Sequence, residues 1–165
     1  MTPATIETLF GYSYWATGQI LAAAQGVSDE VFQAPAEFSY RGLRGTLVHA
    51  LDVERGWRLR IQGQPAEVYD AELPEEEFPD VASLARAWAE EETVMRAWLA
   101  TLDDGILDAT IDLGPRDRFP LATFLLHIVT HTAQQRRDAA LILERAGCSP
   151  GEIDFLYYAD SLNAT

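Results

Sequence analysis

Thiols are nearly absent: Cys148 is the single cysteine in 165 residues. That excludes an internal disulfide and any CxxC redox or zinc motif. Cys148 also follows Gly147 at an expected helix C-terminus, where the helix dipole works against a thiolate, so it reads as structural rather than nucleophilic. Positive charge is scarce as well, with 12 basic residues against 26 acidic ones and a net charge of −14. Nucleic acid is bound mainly through clustered Lys and Arg, so it is excluded as a partner class. The local arginine groups (Arg41 and Arg44; Arg55, Arg58 and Arg60; Arg136 and Arg137) have acidic neighbours and read as solvated helix faces. The longest uncharged, mostly apolar run lies near residues 119–135, and two histidines and two glutamines interrupt it. No membrane span is expected from it. The N-terminus lacks the basic-then-apolar order of a signal peptide, which makes a cytoplasmic protein the expectation. Internal repeats and low-complexity tracts are missing too.

What is present is apolar: 48% of the residues are hydrophobic, enough to give a chain of this length a core. One domain over residues 1–165 is expected. Four long helical patterns carry it. The first runs from about Pro3 to Gln25, with Gly26 as a cap, and the second from about Leu43 to Gln62. The third opens after Pro79-Asp80, with apolar residues at alternating four and three spacing from Val81 to Leu102. The fourth runs from near Pro120 to Gly147. Between the second and third, VYDAELPEEEFPD reads as a long connection. DATIDLGPRDRFPL, before the fourth, reads as a small hairpin or ordered loop around Gly114-Pro115. SPGEIDFLYYADSL looks like a short packed end. The expected fold is all-α: a four-helix bundle with long crossovers and a short C-terminal segment.

Bundles build sites from inward-pointing side chains, so polar residues inside apolar stripes are informative. With about 100° per residue and Ile128 as reference, Gln135 lies roughly 20° from the stripe centre of the fourth helix, His131 about 60° and His127 about 100°. On that count Gln135 faces inward, His131 is inside the stripe and His127 is at its margin. On the third helix Glu92 continues the stripe through residues 85, 88, 95 and 99, while Glu91 continues an overlapping one through Leu84 and Trp98. One of these carboxylates is expected to point at the core, with an arginine, a histidine or a metal as partner. On the second helix His49 is at the margin and Glu54 is nearer the middle. A histidine beside an apolar face is more often a hydrogen-bonded core residue than a ligand. Two at i and i+4 shift the balance, because both imidazoles can reach one ion.

The residues resemble the DinB-like family of small bundle proteins, which includes the YfiT-type proteins classed as metal-dependent hydrolases. LFGYSYWATGQIL is similar to the family's opening helix and GLRGTLVHALDVERGWRLRIQG to its second. LLHIVTHTAQQRRDAALILERAG resembles the signature helix, and DFLYYAD the closing segment. The resemblance covers nearly the whole chain. It implies a four-helix bundle, usually dimeric, with a divalent metal on three histidines, one from the second helix and an H-x3-H pair from the fourth. Those positions fall on His49, His131 and Gln135. The last is a departure, because a neutral amide is a much poorer ligand for zinc or nickel than imidazole. His127 matches a frequent residue one turn upstream that is not normally a ligand, and it is a candidate substitute.

Two functions stay open. One is a divalent-metal-dependent hydrolase or thiol-dependent transferase acting on a small molecule, with Glu91 or Glu92 as candidate base and Gln135 as a degenerate third ligand. The alternative is a non-catalytic, stress-related bundle that binds a small molecule and has lost tight metal binding. A homodimer is expected on either, since four tryptophans and six tyrosines exceed what a small core hides.

Overall fold

The computed structural model describes residues 1–35 and 41–163. Four long helices make the body: α1 (Pro3–Ala24), α3 (Leu43–Ile61), α5 (Val81–Leu99) and α7 (Leu121–Arg145). Shorter ones are α2 (Asp29–Gln33), α4 (Ala66–Tyr69), α6 (Asp104–Asp108) and α8 (Phe155–Asn163). A hairpin of β1 (Thr110–Asp112) and β2 (Arg118–Pro120) pairs Ile111 with Phe119. The expected all-α bundle and the hairpin at Gly114-Pro115 are both present. The acidic connection is more ordered than its sequence suggested, with α4 and a 3-10 turn at Glu75–Glu77. No helix among the described residues is long and apolar enough to cross a membrane.

The ends of the helices follow local chemistry. Thr2 caps α1 by accepting from the Thr5 amide, and Pro3 adds no unsatisfied N–H. Asp80 and Ser83 form a reciprocal capping box on α5, a cap worth about 1 kcal/mol. After α7 the chain reverses at Gly147 (φ 77°), and the Gly147 and Cys148 amides donate to the carbonyls of Glu144 and Leu143. Glycine tolerates that left-handed conformation where other residues are strained.

α1 packs on α5 and α7, and so does α3, giving the cyclic order α1, α5, α3, α7. Between them lie Phe10, Ile20, Leu47, Leu84, Met95, Leu125 and Leu143, all nearly or fully inaccessible. Each side chain of this size contributes roughly 1.5–3 kcal/mol by leaving water. α8 lies against α1, where Tyr12, Trp15, Phe155 and Tyr158 stack edge and face.

The interior also holds charge, which corrects the sequence expectation for two arginines. Arg58 and Arg136 are buried rather than solvated, at 7% and 2% exposure. Arg58 grips Glu91 with Nε to Oε1 at 2.5 Å and Nη2 to Oε2 at 2.6 Å. Arg136 Nη1 donates to the Ser13 hydroxyl at 2.8 Å and to the Ser13 carbonyl. Both guanidiniums can enter because a partner on a neighbouring helix receives them. Apolar periodicity cannot register that.

Candidate metal centre

α3 and α7 lie side by side, and the histidines sit along that seam. Across it, the rings of His49 and His131 have centroids 5.2 Å apart with planes at 74°. One turn back on α7, the His127 ring is 6.0 Å from that of His131 and 5.3 Å from that of Trp57. His49 and Gln135 line one cleft of about 120 Å³ together with Arg41, Thr46 and Asp138. The structure therefore brings His49, His131 and Gln135 to one place. His127 is an exposed ring at the edge.

The setting of Gln135 and His131 differs from the sequence expectation. Both are half-buried rather than inward-facing. Buried residues of α7 include Val129, Thr132, Arg136 and Ala140, all on the same side of Ile128. The buried face is thus centred nearer Thr132, about 40° round from Ile128. Two polar residues, Thr132 and Arg136, belong to that face, and counting apolar residues alone misplaces its centre. Gln135 and His131 are left on the flank of α7 that meets α3.

Burial, then the neighbouring His49 and His127, pushes His131 down from 6.5 to about 4. His49 is lowered too, chiefly by burial and then by Arg41, with Asp52 and Glu72 acting against the shift. Near neutral pH both rings are uncharged, the form that coordinates a metal. His131 Nδ1 is buried and has no hydrogen-bond partner. Two imidazoles on one tetrahedral zinc, with Zn–N near 2.0–2.1 Å, have centroids about 5 Å apart, so the observed spacing fits a shared ion. A third strong donor is the weak point. Among the described residues no group of three or more His, Cys, Asp or Glu side chains is placed to hold a metal ion.

The third-helix glutamates are engaged elsewhere. Glu91 points into the core at 6% exposure and is the partner of Arg58. Glu92 pairs with Arg96 one turn along the α5 surface at 2.7 Å. Neither joins the histidines in a group that could hold an ion. Cys148 is a half-buried free thiol.

The bundle centre holds a second polar cluster that stripe counting located only in part. Tyr14 on α1 donates to Glu54 Oε1 on α3 at 2.5 Å, and Glu54 is fully inaccessible. Burial pushes the Glu54 carboxyl up to about 8, against the pull of the Tyr14 hydroxyl. Burial and the adjacent Glu54 also hold the Tyr14 phenol well above its usual range. Glu54 was legible as a polar residue inside a stripe. Tyr14 and Arg58 were not, because both types bury their apolar parts routinely.

No curated protein matches the chain. The model of the DinB family matches residues 1–164. With that match over essentially its whole length, and with a helical bundle carrying histidines on its second and fourth long helices, the chain belongs to the DinB family.

Proposed function

We propose that this protein binds a divalent metal ion, zinc or nickel, through His49 and His131, and that it acts there on a small molecule by hydrolysis or thiol transfer. The observation that carries the reading is the 5.2 Å approach of two neutral imidazoles across α3 and α7, with Gln135 in the same cleft as His49. The Gln135 amide oxygen completes the site as a weak third donor. An ion held there supplies Lewis acidity, lowering the pKa of a bound water or thiol and polarising an electrophile. The chain's own groups bind, orient and move the proton. Asp138 is the carboxylate lining the cleft, so proton transfer falls to it and not to Glu91 or Glu92, which arginines already hold.

A second reading has its own support. With an amide at the third position, the same cleft serves a bundle that binds a small molecule without a tightly held metal. Elemental analysis of untagged protein, followed by zinc titration of the parent and of His131→Ala, separates the two. The metal reading expects one zinc per chain on titration, lost in His131→Ala. No zinc uptake by the parent, or uptake that His131→Ala leaves unchanged, would reject a metal at these histidines and leave the metal-free reading of the cleft.

A further inference from the structure

The seam between α1 and α5 lies across the bundle from the α3–α7 seam that carries the histidines, and small residues leave it unfilled. Gly18 on α1 and Ala85 and Ala89 on α5 line a groove there of about 170 Å³. A Cβ on Gly18 would meet nothing within 4 Å. Leu21 and the rings of Tyr14 and Trp88 supply the rest of an apolar wall.

Two side chains of that lining are buried and polar: Thr17 is 3% exposed and Trp88 4%. The Thr17 hydroxyl and the Trp88 indole N–H have no hydrogen-bond partner among the described residues. Buried polar groups are nearly always paired, because an unpaired one has lost its water and gained nothing. A threonine inside a helix ordinarily donates to the carbonyl one turn back, as Thr8, Thr93 and Thr130 do. Thr17 does not. The Ser13 carbonyl one turn back receives the helix amide and, from α7, Arg136 Nη1 at 3.2 Å, so both its lone pairs are taken. The Thr17 hydroxyl is thereby left over beside the indole.

The surroundings select a neutral molecule. Glu92 is the charged side chain on the lining, and Arg96 holds it at 2.7 Å while lying 5.1 Å from the Tyr14 ring centroid. That guanidinium is spent, so an anion meets only Glu92. An ammonium has no acceptor to offer the indole, which can only donate. We propose that the α1–α5 groove binds a small neutral molecule through a hydroxyl or carbonyl oxygen that accepts from Trp88 Nε1, with Thr17 Oγ1 as its second partner. A short alicyclic or aliphatic body packs against Leu21 and the alanines. A cavity of roughly 150 Å³ holds a six-carbon ring, so the groove has room for one and not for a drug-sized ligand. This site does not rest on the reading of the histidines.

The test titrates isotope-labelled, full-length protein with cyclohexanol, and with cyclohexanecarboxylate as the anionic probe, in amide and indole N–H correlation spectra. The Trp88 indole peak, identified by its loss in Trp88→Phe, should shift saturably with cyclohexanol, as should the Gly18 and Ala89 amides. The carboxylate should move none of them. Trp88→Phe, followed at the Gly18 amide, should bind cyclohexanol about three- to tenfold more weakly, the effect of one neutral hydrogen bond. Gly18→Leu fills the open space while favouring the helix, and should abolish binding read at the Trp88 indole. Ala85→Leu blocks the groove from the α5 side if Gly18→Leu does not fold. The absence of a saturable shift, as when water alone satisfies the two groups, overturns the proposal. So does undiminished affinity in Trp88→Phe or in the filled groove, or equal binding of the carboxylate.

Discussion

Arg58 and Glu91 face each other across α3 and α5 in a two-pronged ion pair, with side chains only 8% and 6% exposed. Such a pair has already lost its hydration, so removing one member leaves a buried charge without compensation. Arg58→Met is expected to cost about 3–5 kcal/mol, and Arg58→Met with Glu91→Leu to recover most of it. Urea unfolding measures both. A single variant as stable as the parent would contradict the pairing.

The buried Glu54 makes a stability prediction of definite sign. Its folded pKa is raised, from 4.5 to about 8, so the native state holds a proton that the unfolded chain releases. The contribution is complete below about 4.5 and is lost as pH rises toward 8. His131 works oppositely and lower: its pKa falls from 6.5 to about 4, so its contribution is lost as pH drops through that window. Between pH 6.5 and 8 the Glu54 effect stands clear of His131. The urea midpoint of the parent should fall across that range, and that of Glu54→Gln should stay nearly level. Parallel slopes would refute the assignment.

The bundle was legible in the sequence because apolar spacing, caps and the Gly-Pro turn are local signals. Pro79-Asp80 marks the start of α5 and Gly147 the end of α7. The polar interior was only half legible. Glu54, Glu91 and His131 interrupt apolar stripes and stand out. Arg58 and Arg136 do not, since their burial depends on Glu91 and Ser13, which are distant in sequence and near only after folding. For the same reason apolar spacing alone, which leaves out the buried Thr132 and Arg136, rotates the inward face of α7 toward Gln135.

His127 has an exposed ring, stacked edge-on to Trp57 and set outside the cleft that holds Gln135. His127→Ala should therefore leave zinc affinity within about threefold of the parent, whereas His49→Ala should abolish measurable binding. Equal losses would mean that His127 has taken the third position.

A homodimer is the expected assembly. α8 leaves Phe155, Tyr157 and Leu162 exposed, with Leu156 at 75%, and bears one charge, Asp160. Two copies of charge −14 repel least across such a face. Light scattering should give twice the chain mass for the parent and a monomer for Leu156→Glu with Tyr157→Ser. A monomeric parent at tens of micromolar would reject the dimer.

On the proposed reading, Gln135 takes the third position of a site whose other donors are His49 and His131. Calorimetric zinc titration of the parent and of Gln135→His tests it most directly. The parent should bind weakly, since two imidazoles and a neutral amide leave the ion short of donor strength. Gln135→His should bind tighter by orders of magnitude. Equal affinities in the two proteins would contradict the claim, and a histidine that costs stability without gaining zinc would show that Gln135 serves only the packing of α7 against α3.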